Sequence, residues 1–225
     1  MDAKKLLDQF ISSGAAGGFA GGLAGGALAS AFMGKKGRKL TKSAVKIGGL
    51  ALVGGLAYKA WQNHKQSAAG GAMAAPAAAP RTAGPEALPA VPQGTGFLPA
   101  AGDTYGAEQL SQLIIRAMIS AAKADGQIDM RESQMILQQV NSSQLDEEDK
   151  AFLFAEYSRP LDLEGLVAAV DSPEHAAEVY AASVLVAHPA SPAEQFYLDS
   201  LARGLRLEPG LVRELHAAVE STTTA

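Results

Sequence analysis

Cysteine is absent from the 225-residue chain. Its absence excludes disulfide bonds, zinc–thiolate sites, iron–sulfur clusters and cysteine nucleophiles. Large apolar side chains concentrate in residues 108–220. Because a hydrophobic core is built from such side chains, we expect only this C-terminal region to bury one of useful size.

Sequence patterns that carry catalysis are also missing. The chain has no G-x-S-x-G nucleophile elbow, and no pair of carboxylates lies in a setting suited to acid–base chemistry. The histidines have neither a partner four residues away nor an H-E-x-x-H motif; they are His64, His175, His188 and His216. We therefore expect a protein that binds and is not an enzyme.

Negative charge is scarce in the N-terminal part and dominant in the C-terminal part. Residues 1–66 contain ten Lys and Arg and two acids, whereas residues 103–225 contain eight Lys and Arg and twenty acids. A basic and apolar segment suits anionic lipid headgroups. The acidic region would repel a phosphate backbone, so we expect no nucleic-acid partner.

The composition divides the chain into three regions. Residues 1–66 are rich in glycine and contain two apolar runs, which we interpret as a membrane-anchoring region. Residues 67–107 contain six prolines among alanine and glycine, with almost no charge. That composition is typical of a disordered linker. Residues 108–221 show apolar side chains at helical spacing and form the third region.

Helix start signals recur along the third region. Asp162 is a candidate N-cap, and Ser172-Pro173 and Ser191-Pro192 each place serine at the N-cap and proline at the first helical position. No run shows the alternation of a strand. We therefore expect an all-α protein whose C-terminal domain is a compact bundle of six or seven short helices.

Residues 14–33, GAAGGFAGGLAGGALASAFM, carry no charge and contain seven glycines. In a helix, Gly14, Gly18, Gly22 and Gly26 would line one side and let another helix pack closely. Glycine costs a water-exposed helix about 1 kcal/mol relative to alanine, but in lipid the backbone must bond to itself. Twenty residues at about 1.5 Å each match the hydrocarbon core. We predict a membrane helix able to oligomerise, with a flexible linker or a signal peptide as the alternatives.

Residues 44–61 form a second apolar run, with Tyr58 and Trp61 at the expected membrane interface. The positive-inside rule places the basic segment between the runs, residues 35–46, in the cytoplasm. The C-terminal domain is also cytoplasmic if only the first run crosses the bilayer, and lies outside the cytoplasm otherwise. The cations expected at the interface are Lys35, Lys36, Arg38 and Lys39.

An acidic cluster, Asp125, Asp129 and Glu132, begins the loop after the first helix of the bundle. Asp125 and Asp129 fit positions 1 and 5 of a calcium loop, but Met130 replaces its glycine and Ile136 its final glutamate, which excludes an EF-hand. Helix capping is the simpler interpretation. A shallower divalent-cation site is the alternative, and we expect no other cofactor.

Two C-terminal stretches resemble the TerB-like domains of the tellurite-resistance family: AAKADGQIDMRES (121–133) and AEQFYLDSLARGLRLEPGLVRELH (193–216). The Gly-rich start, the segment KIGGLALVGGLAYKAWQ (46–62) and the Pro/Ala linker are similar to YebE-type bacterial inner-membrane proteins. The resemblance implies an all-helical fold, an inner-membrane location, no established enzymatic activity and a role in interaction or sensing. It also implies divalent metal at acidic helix ends, which here are Asp125, Asp129, Glu132 and Glu194.

These features predict a membrane-anchored interaction or sensing module, possessing a flexible tether and acting in an envelope or metal-stress response. Its expected partners are the lipid bilayer and a protein that binds the acidic domain. Two alternatives stay open. One is a divalent-cation sensor, and the other is a structural membrane protein that forms homo-oligomers through its glycine-lined helices.

Overall fold

The computed structural model describes residues 2–12, 49–69, 91–92, 94–124, 147–188 and 190–223. These residues form eight α-helices and no strand, which confirms the predicted all-α class. In chain order the helices are α1 (Ala3–Ser12), α2 (Gly49–Ala69), α3 (Thr104–Ala122), α4 (Glu147–Ser158), α5 (Leu163–Ala168), α6 (Pro173–Val186), α7 (Pro192–Gly204) and α8 (Pro209–Thr223).

Helix α6 lies at the centre of the bundle. Every residue from Ala176 to Val186 is buried, and the helix packs against α2, α3, α7 and α8. A helix that is apolar on nearly all sides is stable only when other elements surround it. These four helices therefore surround α6.

The helix start signals of the C-terminal region are confirmed. Asp162, Ser172 and Ser191 are the N-caps of α5, α6 and α7. Each side chain accepts the backbone N–H of the residue three positions later. Pro209 is the first residue of α8. Local chemistry thus fixes where these helices begin.

The hydrophobic core extends well beyond residues 108–220, to which we expected it to be confined. Leu6 and Leu7 of α1, Leu56 of α2 and Phe97 are buried in the same cluster as the C-terminal helices. Helix α1 packs against α2 and α3, and α2 packs against α6 and α8. The N-terminal helices therefore complete the bundle.

Residues 49–61 of the second apolar run, which was predicted to lie in a membrane, lie inside the bundle as part of α2. Its buried leucine, valine and alanine side chains recur every three or four residues, from Leu52 to Ala60, while Gln62 and Asn63 are exposed. Leucine and small residues at helical spacing suit a protein interior as well as a lipid interior, so composition does not separate the two. Within the described ranges, no helix is both long and apolar enough to cross a bilayer. The first run, residues 14–33, lies outside those ranges.

Residues 94–107, which we assigned to the linker, also belong to the bundle. Turns at Gly94 and Gly96, where φ is 80° and 81°, require the left-handed backbone that glycine adopts easily. They lead into Phe97, which is 2% exposed. We call residues 94–100 the strap, because they run over α2 before α3 begins at Thr104.

Candidate functional site

Most of the predicted site residues lie outside the described part of the chain, so their roles stay predictions. This holds for the acidic cluster, for the glycine stripe and for the basic segment. The residues concerned are Asp125, Asp129, Glu132, Gly14, Gly18, Gly22, Gly26, Lys35, Lys36, Arg38 and Lys39.

Glu194, the described member of the predicted metal set, closes a capping box at the start of α7. Its Oε2 accepts the Ser191 N–H at 2.7 Å, and its own N–H donates to Ser191 Oγ at 3.3 Å. In the described ranges, no three His, Cys, Asp or Glu side chains converge as a metal site requires. The observed role of Glu194 is structural, and its metal role stays a prediction.

Tyr58 and Trp61, predicted at a membrane interface, contact the strap. Their ring centroids lie 5.5 and 5.6 Å from that of Phe97, both in edge-to-face geometry. The Lys65 ammonium lies 5.5 Å from the centroid of the Trp61 ring. Edge-to-face pairs contribute roughly 0.5–1.5 kcal/mol each beyond area burial. Packing against Phe97 therefore accounts for both aromatic side chains.

The helices on either side of residues 13–48 meet in space. Asp8 Oδ1 of α1 accepts the backbone N–H of Gly49, the first residue of α2, at 2.5 Å. A Cβ atom at Gly49 would lie 3.1 Å from the carbonyl oxygen of Leu7 and 2.7 Å from Cδ1 of Ile11. Glycine therefore allows α2 to begin in close contact with α1. The positive end of the α2 dipole stabilises the Asp8 carboxylate.

Glu178 is a carboxyl group in the centre of the bundle. The residue is 0% exposed, and neither side-chain oxygen has a hydrogen-bond partner in the described part of the chain. Its Oε1 lies 3.1 Å from the position of a Cβ atom at Gly54, and Leu98 of the strap approaches the same position to 3.0 Å. Burial, with a smaller contribution from the Glu174 carboxylate, raises the pKa of Glu178 to about 9.

A cleft of about 480 Å³ lies between the second half of α3, the end of α4 and α5. We call it the arginine cleft because Arg116 and Arg159 line it together with Glu156. Both arginines contact the same oxygen, Glu156 Oε1. Its distance is 3.3 Å to Arg116 Nε and 2.8 Å to Arg159 Nη1. The Arg116 guanidinium also lies 5.8 Å from the ring centroid of Phe152.

Lys123 lines the arginine cleft, but its ammonium group hydrogen-bonds to the end of α4. Its Nζ donates to the carbonyl oxygens of Glu156 and Tyr157 at 3.3 and 3.0 Å, and to that of Arg159. These carbonyls belong to the last turn of α4 and the residue after it, where cations are favourable. Burial lowers the pKa of Lys123, against the raising effect of Glu156.

Comparison with known families identifies the chain as a whole. A family model described as "Protein of unknown function (DUF533)" matches residues 18–219. The chain belongs to the DUF533 family. No curated protein and no solved structure matches it. The match begins within the Gly-rich run, continues through the linker and ends in α8, and it does not include α1.

Sequence reasoning missed three residues that organise this DUF533 chain. Glu178 and Arg116 carried a usable signal, because each is a lone charge inside an otherwise apolar helical run. In a helix whose whole circumference is apolar, such a charge marks either a buried group or a site. Asp8 carried no signal, since its partner Gly49 is 41 residues away.

Proposed function

We propose that this DUF533 chain is a non-enzymatic interaction module that residues 13–48 attach to a lipid surface, leaving the helical bundle to bind a protein partner. The observation that carries the proposal is the contact of Asp8 with Gly49. It shows that α1 and α2, the helices on either side of residues 13–48, are in contact. That segment contains the uncharged run 14–33 and the basic residues 35–46, a composition that suits an anionic bilayer.

The same contact limits how the segment meets the bilayer. A single crossing by residues 14–33 would place the two ends of the segment on opposite sides of a hydrocarbon core about 30 Å thick. Helices α1 and α2 instead touch each other, through Asp8 and Gly49. The proposal is therefore that the segment enters and leaves the lipid on one side while the bundle is folded.

The proposal also specifies the side of the membrane on which the bundle lies. If the segment returns to the side from which it departs, the bundle lies with the basic segment, which the positive-inside rule assigns to the cytoplasm. We propose the cytoplasmic face of a bacterial inner membrane. The resemblance to YebE-type proteins supports this location, and the resemblance to TerB-like domains supports a role in interaction or sensing.

Vesicle flotation tests lipid attachment. The full-length protein is mixed with vesicles of phosphatidylglycerol and phosphatidylcholine, and compared with a variant in which an eight-residue Gly/Ser linker replaces residues 13–48. We expect the wild type to float and the variant to stay at the bottom, with circular dichroism showing that both are helical. Flotation of the variant together with its vesicles would contradict the proposal.

A matched pair of charge variants refines the test. Near a membrane surface each Lys or Arg contributes about 1 kcal/mol, so replacing Lys35 and Lys36 by glutamine should weaken binding at least about tenfold. Replacing Arg203 and Arg213, which are exposed on α7 and α8, should leave binding unchanged.

Reporter fusions to the C-terminus test the proposed side of the membrane. A reporter that works only in the cytoplasm should be active. Activity of a periplasmic reporter would rule out the proposed side.

A further inference from the structure

In the arginine cleft, two arginine side chains share a single carboxylate, that of Glu156. Glu156, with its side chain 12% exposed, presents one oxygen to both Arg116 and Arg159. A guanidinium carries five N–H donors, and Arg116 Nε, although within 3.3 Å of Glu156, has no aligned acceptor and is buried. The two arginines therefore keep donors that Glu156 does not use.

Among the described residues, the other charged groups that line the cleft, Lys123 and Asp162, form hydrogen bonds with the ends of α4 and α5. Lys123 donates to the end of α4, and Asp162 accepts the backbone N–H of Gly165 at 2.8 Å as the N-cap of α5. An incoming anion therefore meets Arg116 and Arg159 as its donors. This concentration of positive charge stands out because residues 103–225 contain twenty acids against eight Lys and Arg.

Part of the cleft wall is apolar. Ile119 of α3 and Leu166 of α5 line it, and Leu161 reaches it from the turn between α4 and α5. Leu161 is 43% exposed, one of few large apolar side chains in the described ranges that face solvent. A cleft of several hundred Å³ that combines an apolar wall with a few convergent polar groups is typical of a small-molecule site.

We infer that the arginine cleft binds an amphipathic anion, with a phosphate head at Arg116 and Arg159 and a short alkyl body along Leu161 and Leu166. Two guanidinium groups present forked donors that match phosphate oxygens. The inference goes beyond the attachment of residues 13–48 to lipid, because every residue in it belongs to the bundle. Failure of the flotation test would therefore leave it intact.

Calorimetric titration of the full-length protein with decyl phosphate, kept below its micellar concentration, tests the site. Arg159 is the first residue to change because its side chain is 64% exposed, so Arg159→Gln should fold normally. Because Arg159 is exposed and solvent screens its hydrogen bond to the charged head, we expect Arg159→Gln to weaken binding about tenfold. Arg203→Gln, an exposed arginine on α7, is the matched control and should bind as the wild type does.

The apolar half of the site has its own test. Leu161→Gln should weaken binding of decyl phosphate and leave binding of inorganic phosphate unchanged, and inorganic phosphate should bind the wild type far more weakly than decyl phosphate. Ala169→Phe, at an exposed position on the cleft wall, should obstruct the cleft without disturbing the core. Equal affinities of the wild type, Arg159→Gln and Ala169→Phe, or no heat with decyl phosphate, would overturn the inference.

Competition experiments with two kinds of vesicle identify the source of the anion. If the natural ligand is a lipid headgroup, vesicles of phosphatidylglycerol should compete with decyl phosphate, and vesicles of phosphatidylcholine should not. If it is a small metabolite, neither kind of vesicle should compete, while decyl phosphate should still require Arg159. Either result supports the site; competition that persists equally in Arg159→Gln would place the anion elsewhere.

Discussion

The carboxyl group of Glu178 faces the backbone of Gly54 across the contact between α6 and α2. Its Oε1 atom lies 3.1 Å from the place of a Cβ atom at Gly54, and neither oxygen has a hydrogen-bond partner in the described chain. An unpartnered buried polar group costs roughly 1–3 kcal/mol. Glycine lets α2 approach this carboxyl group, and Leu98 of the strap lies 3.0 Å from the same Cβ position.

Replacing Glu178 by glutamine should raise stability at neutral pH. The pKa of Glu178 is raised from 4.5 to about 9, so the folded protein keeps a proton that the unfolded chain loses. Stability is therefore complete below about pH 4.5 and falls as the pH rises toward about 9. Each unit of pKa difference corresponds to about 1.4 kcal/mol, so we expect Glu178→Gln to gain about 2–3 kcal/mol at pH 7.

Urea denaturation at pH 5, 7 and 9 measures this effect. The wild type should lose stability over the series, and Glu178→Gln should lose much less. Glu174→Gln, one turn earlier on α6 and partly exposed, is the control and should keep most of the wild-type slope. Parallel profiles for the wild type and Glu178→Gln would show that the carboxyl group ionises without cost.

Gly54 should tolerate little enlargement. A Cβ atom there would meet Leu98 at 3.0 Å and Glu178 at 3.1 Å, and the two further methyl groups of valine would need space that the contact lacks. Overpacking of this kind costs typically 1–3 kcal/mol, so we expect Gly54→Val to lower the free energy of unfolding by about 2 kcal/mol. Ala51→Val, on the same helix at a partly exposed position, should have a small effect. Thermal denaturation of both variants makes the comparison.

The features that local chemistry determines were predictable from the sequence, and the long-range contacts were not. Ser172 and Ser191 were identified as caps because an N-cap is decided within four residues. The membership of α2 in the bundle was not predictable, because Leu52 and Leu56 would look the same in lipid. The arginine cleft joins Arg116 to Glu156, 40 positions apart, and periodicity says nothing about such a pairing.

The capping box of α7 gives a test that separates structure from metal binding. Ser191→Ala removes the oxygen that accepts the Glu194 N–H, and loss of such a cap costs about 1 kcal/mol.

If Glu194 acts only in the capping box, millimolar Ca²⁺, Mg²⁺, Mn²⁺ or Zn²⁺ should leave the melting temperature of the wild type unchanged. If metal instead raises the melting temperature of the wild type and Glu194→Gln abolishes that rise, the protein is a divalent-cation sensor. Glu194 would then bind metal together with the acidic cluster at Asp125.

Shortening the segment between α1 and α2 should stabilise the bundle. Asp8 and Gly49 already hold these helices together, so a linker of eight Gly/Ser residues, which spans about 15 Å, is long enough to join Ser12 to Gly49. The entropy of closing a loop grows with the logarithm of its length, and replacing the residues 13–48 in this way should gain about 1 kcal/mol. Thermal and urea unfolding of the shortened protein measure the gain. A scrambled segment of the original length is the control and should match the wild type, whereas loss of helical signal in the shortened protein would mean that α1 and α2 are not joined as the Asp8–Gly49 contact requires.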